Sequence, residues 1–252
     1  MATVNDFKVF RAIGLAFKAW FANFLPITIL AAVLYSPIFI WVASLPKFDS
    51  SLESGNQAWL DAWMRLFTRG PWVLVGISSL LAPLITYRVI QYMNGSKSSM
   101  MTSLKFGLRG VIPAIILAGV TNLLQLIPFG GIIGIVVTCY WFVAAPAAVT
   151  EQLNPIAALG RSAQLTSGRR GGIFGLNFLL GIIVIGVMFV VAMPLIDNPA
   201  KNAGEFNRVA LTVLGIICVF QLFTGIVQAV SYSLLRTDKD GVTNDELARV
   251  FE

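Results

Sequence analysis

Long apolar stretches constrain this chain more than any other feature of its sequence. Six of them, at residues 25–45, 71–93, 111–126, 132–149, 173–196 and 209–235, contain almost no charged side chains. Only 12% of the 252 residues are charged, whereas an average soluble domain has about 25%. A soluble fold of this size could not cover its surface with so few charges. The pattern therefore predicts an integral membrane protein with six transmembrane helices.

An amphipathic segment with basic residues precedes the first, third and fifth apolar stretches. These three segments start near residues 7, 99 and 154. The same unit of amphipathic helix, span, far-side loop and span thus occurs three times. We predict an all-α polytopic bundle of six transmembrane helices in three hairpins, each preceded by a cytoplasmic interfacial helix. Residues 1–252 form one membrane domain, with the bundle at 1–236 and a charged cytoplasmic tail at 237–252. The repeat is compatible with simple packing and with an enclosed site.

The third amphipathic segment is the most strongly patterned. Asn154 followed by Pro155 predicts a helix start, because Asn caps a helix and Pro suits its first position. Gly168 is predicted to end that helix. Glu151 lies just before it and is predicted to pair with Arg161, pinning the helix to the fourth span, with a functional carboxylate as the alternative. Ile156, Leu159, Ala163 and Thr166 are predicted to form one face of this helix.

The first amphipathic segment, residues 7–21, has apolar side chains at steps of three and four, which predicts one wide apolar face on a helix. That face consists of Phe7, Phe10, Ile13, Phe17, Trp20 and Phe21.

Basic residues set the predicted orientation. Thirteen of the eighteen Lys and Arg residues lie on the side of the N-terminus and five on the other side. The excess predicts that both termini are cytoplasmic, which in a bacterium places the protein in the inner membrane. The net charge is +6, and we expect the basic residues to bind anionic lipid headgroups and not nucleic acid. The candidate contacts with headgroups or a partner are Arg11, Lys18, Lys105, Arg109, Arg161, Arg169 and Arg170.

The residues of common catalytic and metal sites are scarce. There is no His, and Cys139 and Cys218 lie inside apolar stretches, where packed thiols are expected. No P-loop, GxGxxG, HExxH or CxxC pattern occurs. We therefore predict no catalytic, metal or cofactor site and no enzymatic activity. Arg88, near the end of the second span, is predicted to snorkel towards water.

Side-chain amides occur at two places in the apolar stretches. Gln221 and Gln228 are seven residues apart and so share one face of the sixth span. Asn122 and Gln125 lie near the far end of the third span. Hydrogen bonds between helices and a polar path for a substrate are both possible uses of such amides.

Residues 146–180 and 231–251 resemble the bacterial membrane-domain family that is fused to some glycerophosphoryl diester phosphodiesterases and also occurs alone. The resemblance implies a six-span helical protein. It does not imply phosphodiesterase activity, because the fused enzymes keep their catalytic residues in a separate soluble barrel. Residues 170–172 depart from the family, which often carries an aromatic residue there. The matching positions are Val149, Glu151, Ala158, Leu159, Arg161, Ser162, Leu165, Thr166, Gly168, Ile173, Gly175 and Leu176.

The absence of recognisable chemistry and the abundance of apolar surface favour a non-enzymatic membrane protein. We predict an accessory or scaffold subunit of a membrane complex, or a membrane organiser, with a protein partner or a second copy of itself in the membrane. The alternative is a small transporter or lipid-handling protein that uses the amide-bearing faces of the spans.

Overall fold

The structure is a computed structural model that describes residues 8–45, 53–93, 110–125, 130–197 and 206–241, and the isolated residues 95, 101, 103 and 108. Nine helices make up this described part. They are α1 (Val9–Ala22), α2 (Phe24–Ala43), α3 (Glu53–Met93), α4 (Val111–Gln125), α5 (Gly130–Trp141), α6 (Ala144–Thr150), α7 (Pro155–Leu165), α8 (Arg170–Asp197) and α9 (Phe206–Asp240).

Four of the described helices are long and apolar enough to cross a membrane, so the chain is an integral membrane protein. The four segments are Phe24–Ala43, Leu60–Met93, Arg170–Val191 and Asn207–Asp240. They correspond to the first, second, fifth and sixth predicted spans. The third and fourth predicted spans form shorter helices, and the six-span hairpin arrangement stays a prediction.

The second predicted span is longer than expected. The sequence predicts a short interfacial helix near residues 59–67 and a separate span from residue 71, but α3 is continuous from Glu53 to Met93 through Pro71 and Pro83. A proline removes one backbone hydrogen bond and kinks a helix. Here the neighbouring turns continue on both sides, so the proline does not divide the element.

The fourth predicted span is interrupted between α5 and α6, and side chains of α7 bind the backbone groups at the break. Ser162 Oγ donates to the carbonyl oxygen of Tyr140 at 3.0 Å, and the Val143 N–H donates to Ser162 Oγ at 3.2 Å. Thr166 Oγ1 also donates to the Tyr140 carbonyl, at 3.3 Å. Backbone polar groups in an apolar bundle need such partners. The break is therefore a built feature that anchors α7.

The third amphipathic segment forms the predicted helix. Asn154 Oδ1 accepts a hydrogen bond from the Ala157 N–H at 2.8 Å, which confirms the cap, and Gly168 adopts a φ of +78° in the connection to α8. Ile156, which the spacing places on one face with Leu159, Ala163 and Thr166, is 83% exposed. The face that packs inward consists of Ala158, Ser162, Leu165 and Thr166.

The first amphipathic segment also forms the predicted helix, but α1 packs through small side chains. Ala12, Ala16 and Ala19 are fully buried, whereas Phe10 is 81% exposed. The small side chains bring α1 close to α9, and the ring of Phe17 lies 4.6 Å from that of Phe223 on α9. The large rings of the predicted apolar face, such as Phe10 and Phe21, are exposed, which suits a helix whose apolar face meets lipid.

The interior consists of two apolar clusters. The larger one surrounds α9 and includes α1, α2 and α3, with Ile226, Val227 and Val230 of α9 almost entirely buried. The smaller one joins α4, α6 and α7 through Leu117, Ala144, Ala148 and Ala158. Side chains from both groups of helices line the cavity described below. The two cysteines are buried and unpaired, as predicted.

Candidate functional site: a polar cavity and an ionic cluster

A polar stripe runs along α9. Gln221, Thr224, Gln228, Tyr232, Arg236 and Asp240 follow one another at steps of three or four residues. This spacing places them on one side of the helix. The first part of the stripe lines a cavity, and the second part belongs to a group of charged side chains at one end of the bundle.

The cavity has a volume of about 350 Å³. This volume lies at the lower end of the range of small-molecule pockets, roughly 300–1,000 Å³. Gln221 and Gln228 lie on one side of it, and Thr138 and Trp141 of α5 on another. We call it the polar cavity. Its other lining residues are Val75, Ser78, Ser79, Ala82, Ala114, Leu117, Ala118, Phe142, Ala144, Ala145 and Leu159.

A smaller lobe of about 80 Å³ adjoins the polar cavity. The two share Ser78, Ala82, Gln221 and Gln228, and the lobe adds Tyr35 and Thr224. The predicted common face of Gln221 and Gln228 is thus confirmed. The side chains of Asn122 and Gln125 lie outside the described part of the chain.

Hydroxyl groups of the polar cavity are largely engaged within the protein. Ser79 Oγ donates to the Val75 carbonyl and Thr138 Oγ1 to the Gly134 carbonyl, each at 2.7 Å. Ser78 Oγ lies 3.4 Å from the Tyr35 hydroxyl. The hydroxyl hydrogens of Ser79 and Thr138 are therefore already used. The lone pairs on the two hydroxyl oxygens can still accept hydrogen bonds from a molecule in the cavity.

The amides of Gln221 and Gln228 differ from these hydroxyl groups, because neither amide has a hydrogen-bond partner among the described residues. Each offers two donors and an acceptor. Thr224 Oγ1, in the smaller lobe, is buried and likewise unpartnered in the described part. An unsatisfied polar group in an apolar medium costs several kcal/mol, about 2–7 depending on the reference state. A molecule in the cavity that hydrogen-bonds to these groups would remove this free-energy cost.

The polar cavity carries no formal charge on its walls. Neither lobe has a Lys, Arg, Asp or Glu among the described residues that line it. Its chemistry is that of hydroxyl and amide groups between apolar and aromatic side chains. Such a site binds by hydrogen bonding and apolar contact.

The second part of the α9 stripe forms a charged group with the connection between α6 and α7. Arg161 Nε donates to both carboxylate oxygens of Glu151, at 3.0 Å each, so the predicted pair is present. The Tyr232 hydroxyl donates to Glu151 Oε1 at 2.9 Å and accepts from Arg236 Nη1 at 3.0 Å. Asp240 pairs with Arg161 and lies 3.7 Å from Arg236 Nε. We call these five residues the ionic cluster.

The charges of the ionic cluster balance, since it contains two carboxylates and two guanidinium groups. Burial, the largest single influence, lowers the pKa of Arg161, but the hydrogen bonds and charges of Asp240 and Glu151 together outweigh it and raise that pKa. Arg161 therefore stays charged and ties the start of α7 to the end of α9. The sequence predicted the Glu151–Arg161 pair and missed the α9 members, although the spacing of Tyr232, Arg236 and Asp240 is a readable signal.

Two other candidate headgroup contacts also have partners within the protein. Arg169 Nη2 lies 3.2 Å from the carboxylate of Asp238. The guanidinium of Arg170 lies 3.7 Å from the centroid of the Tyr140 ring, a cation–π contact, and donates to the Ala163 carbonyl at 3.3 Å. The structure thus uses both side chains to hold α7 and α8 against their neighbours.

The remaining candidate headgroup contacts belong to the first two amphipathic segments. Arg11 and Lys18 are exposed on α1 and are available to a headgroup. Lys105 and Arg109 lie outside the described residues.

Arg88 is buried, contrary to the prediction that it snorkels. Its exposure is 9%, and Nη1 donates to Ser103 Oγ at 3.2 Å. The prediction is wrong because Ser103, fifteen residues further along the chain, lies against this side chain, and a local sequence pattern does not show such a contact.

No group of three or more His, Cys, Asp or Glu side chains suited to a metal ion occurs in the described part of the chain. No family model, no curated protein and no solved structure matches the chain, so its resemblance to the phosphodiesterase-associated membrane domain stays a prediction.

Proposed function

We propose that this integral membrane protein binds a small membrane-soluble molecule in the polar cavity, as a lipid-handling protein or a small transporter. The observation that carries the proposal is the pair of unpartnered amides, Gln221 and Gln228, which face one cavity inside an apolar bundle. Amides that only joined helices would find partners on those helices. We regard the protein as non-enzymatic.

The test is identification of what the purified protein retains. The full chain is extracted in mild detergent, and its small molecules are measured by native mass spectrometry and lipid analysis. We expect a stoichiometric molecule in the wild type and its loss from the Gln221→Leu/Gln228→Leu double variant. Gln164→Leu, at an exposed position of α7, is the matched control and should keep it. Equal retention by all three proteins would overturn the proposal.

A second candidate function is an accessory subunit, favoured by an apolar groove between α2, α3 and α9. The groove has a volume of about 280 Å³ and is lined by side chains such as Val42, Leu66, Leu74 and Leu214, with Gly70 permitting close approach. Small residues at helix interfaces in membranes allow such packing. A stoichiometric protein partner that co-purifies without any small molecule would support this function over the first.

The proposed topology has six spans with both termini in the cytoplasm, and for a bacterial protein it places the chain in the inner membrane. Support comes from the excess of Lys and Arg on the side of the N-terminus. Fusions of green fluorescent protein and of alkaline phosphatase to the C-terminus test it. Fluorescence without phosphatase activity is expected, and the reverse pattern would refute the orientation.

A further inference from the structure

The chemistry of the polar cavity selects among membrane-soluble molecules. Its walls carry no charge in the described part, and the nearby guanidinium groups of Arg161 and Arg236 are already paired within the ionic cluster. A phosphate or an ammonium group placed among these amides and hydroxyls would lose its water without gaining a counter-charge. Burial of an unpaired charge is far more costly than burial of a neutral polar group.

The pattern of donors and acceptors matches an uncharged head that contains a hydroxyl group. Ser79 and Thr138 face the cavity as acceptors because their hydrogens are used by backbone carbonyls. The amides of Gln221 and Gln228 add both donors and acceptors. A ligand with only acceptor atoms would leave the serine and threonine oxygens unused, whereas an alcohol both donates and accepts.

The shape of the polar cavity indicates that its ligand has an apolar tail. Leu117, Trp141 and Phe142 form an apolar wall beside the amides. Gln221 is exposed, and it lies well inside the apolar segment Asn207–Asp240, so the cavity opens towards the surface that faces lipid. A cavity of about 350 Å³ holds a head group, and a long chain would leave through this opening into the bilayer.

We infer that the polar cavity binds the uncharged, hydroxyl-bearing head of an amphiphile, a long-chain alcohol or acylglycerol, and discriminates against phosphorylated lipids with the same chains. The inference rests on the proposed function and narrows it to one ligand class. The ionic cluster begins at Tyr232, one turn of α9 beyond Gln228, and its two guanidinium groups are already paired with Glu151 and Asp240.

Photo-crosslinking tests the inference on the full chain in phosphatidylcholine nanodiscs. Two probes with identical diazirine-bearing acyl chains are compared, a diacylglycerol and a phosphatidic acid, and labelled peptides are mapped by mass spectrometry. We expect the diacylglycerol to label peptides around Ser79, Trp141 and Gln228, and unlabelled diacylglycerol to displace it. Phosphatidic acid should label the outer surface of the bundle and compete at least about tenfold less well for the cavity peptides.

Variants separate the cavity from the lipid-facing surface. Each lost hydrogen bond lowers affinity roughly two- to twelvefold, so Gln221→Leu/Gln228→Leu should reduce cavity labelling about tenfold while surface labelling and Gln164→Leu remain at the wild-type level. Gln221→Met, at an exposed position, changes one amide without disturbing the core and should reduce labelling about threefold.

The outcomes distinguish the two proposals. Equal labelling of the cavity by phosphatidic acid, with sensitivity to the glutamine variants, would overturn the ligand class and leave the proposed function standing. Labelling by neither probe above the level of the double variant would overturn the ligand class, and with no retained molecule in the purified protein it would overturn both.

Discussion

Replacing Glu151 by Gln should destabilise the protein, because Glu151 is the anion shared by the largest number of groups in the ionic cluster. It accepts two hydrogen bonds from Arg161 and one from Tyr232, and Arg236 Nε lies 3.9 Å from its Oε1. Glutamine has nearly the same shape but no charge. The substitution leaves the two guanidinium groups with Asp240 as the one carboxylate that they share among the described residues.

The expected loss of unfolding free energy is about 2 kcal/mol. An exposed ion pair contributes roughly 0–1 kcal/mol, whereas removing one partner of a buried pair costs about 3–5 kcal/mol. The side chains of Glu151 and Arg161 are 16% and 22% exposed, which places this pair between the two limits. At about 2–4 °C per kcal/mol for a chain of this length, the midpoint should fall by about 4–8 °C.

Thermal unfolding of the detergent-solubilised protein, followed by tryptophan fluorescence, measures this midpoint. Asp61→Asn is the control, since Asp61 is exposed on α3 and makes no ion pair among the described residues. A midpoint within about 1 °C of the wild type would refute the structural role. If Glu151→Gln left the midpoint unchanged and lost the retained molecule, Glu151 would be a functional carboxylate. That is the alternative that the sequence left open.

Further substitutions test the elements that shape the site. Ser162→Ala removes the hydroxyl that bonds both backbone groups at the α5–α6 break, and thermal unfolding should show a loss of about 2 kcal/mol. Asn154→Ala removes the cap of α7 and should cost about 1 kcal/mol in the same assay, while Asn154→Asp should retain stability. Gly110→Ala should cost about 1–3 kcal/mol, since its Cβ would lie 2.6 Å from Val149 Cγ2. Gly160→Ala, with no atom within 4 Å of its Cβ, should be neutral or stabilising. Equal midpoints for the two glycine variants would contradict the packing argument.

Local sequence patterns predicted the features that depend on near neighbours. The Asn154 cap joins residues three apart, and the pair of Glu151 with Arg161 joins residues ten apart, so both are contacts between near neighbours in the sequence. The common face of Gln221 and Gln228 follows from helical periodicity alone. These features need no knowledge of which other helix lies nearby.

Sequence periodicity predicted one face of α1 and one face of α7, but not which side chains pack against other helices. In a soluble amphipathic helix the bulkiest apolar side chains would be the buried ones. In an apolar environment exposed Phe10 and Ile156 carry no penalty, and helices approach most closely through small residues such as Ala16 and Ser162. Hydrophobic periodicity therefore does not identify the packing face of a membrane helix.

The sequence by itself determined that this is a membrane protein of apolar helices, because hydropathy and chain length depend only on the order of residues. The tertiary structure decided what its polar residues do. It brought Gln221, Thr138 and Ser79 from three separate helices to one cavity. It also joined Tyr232 and Arg236 to Glu151, and Asp240 to Arg161, across about 80 residues of sequence. Such contacts follow from the packing of helices distant in sequence, which no local pattern encodes.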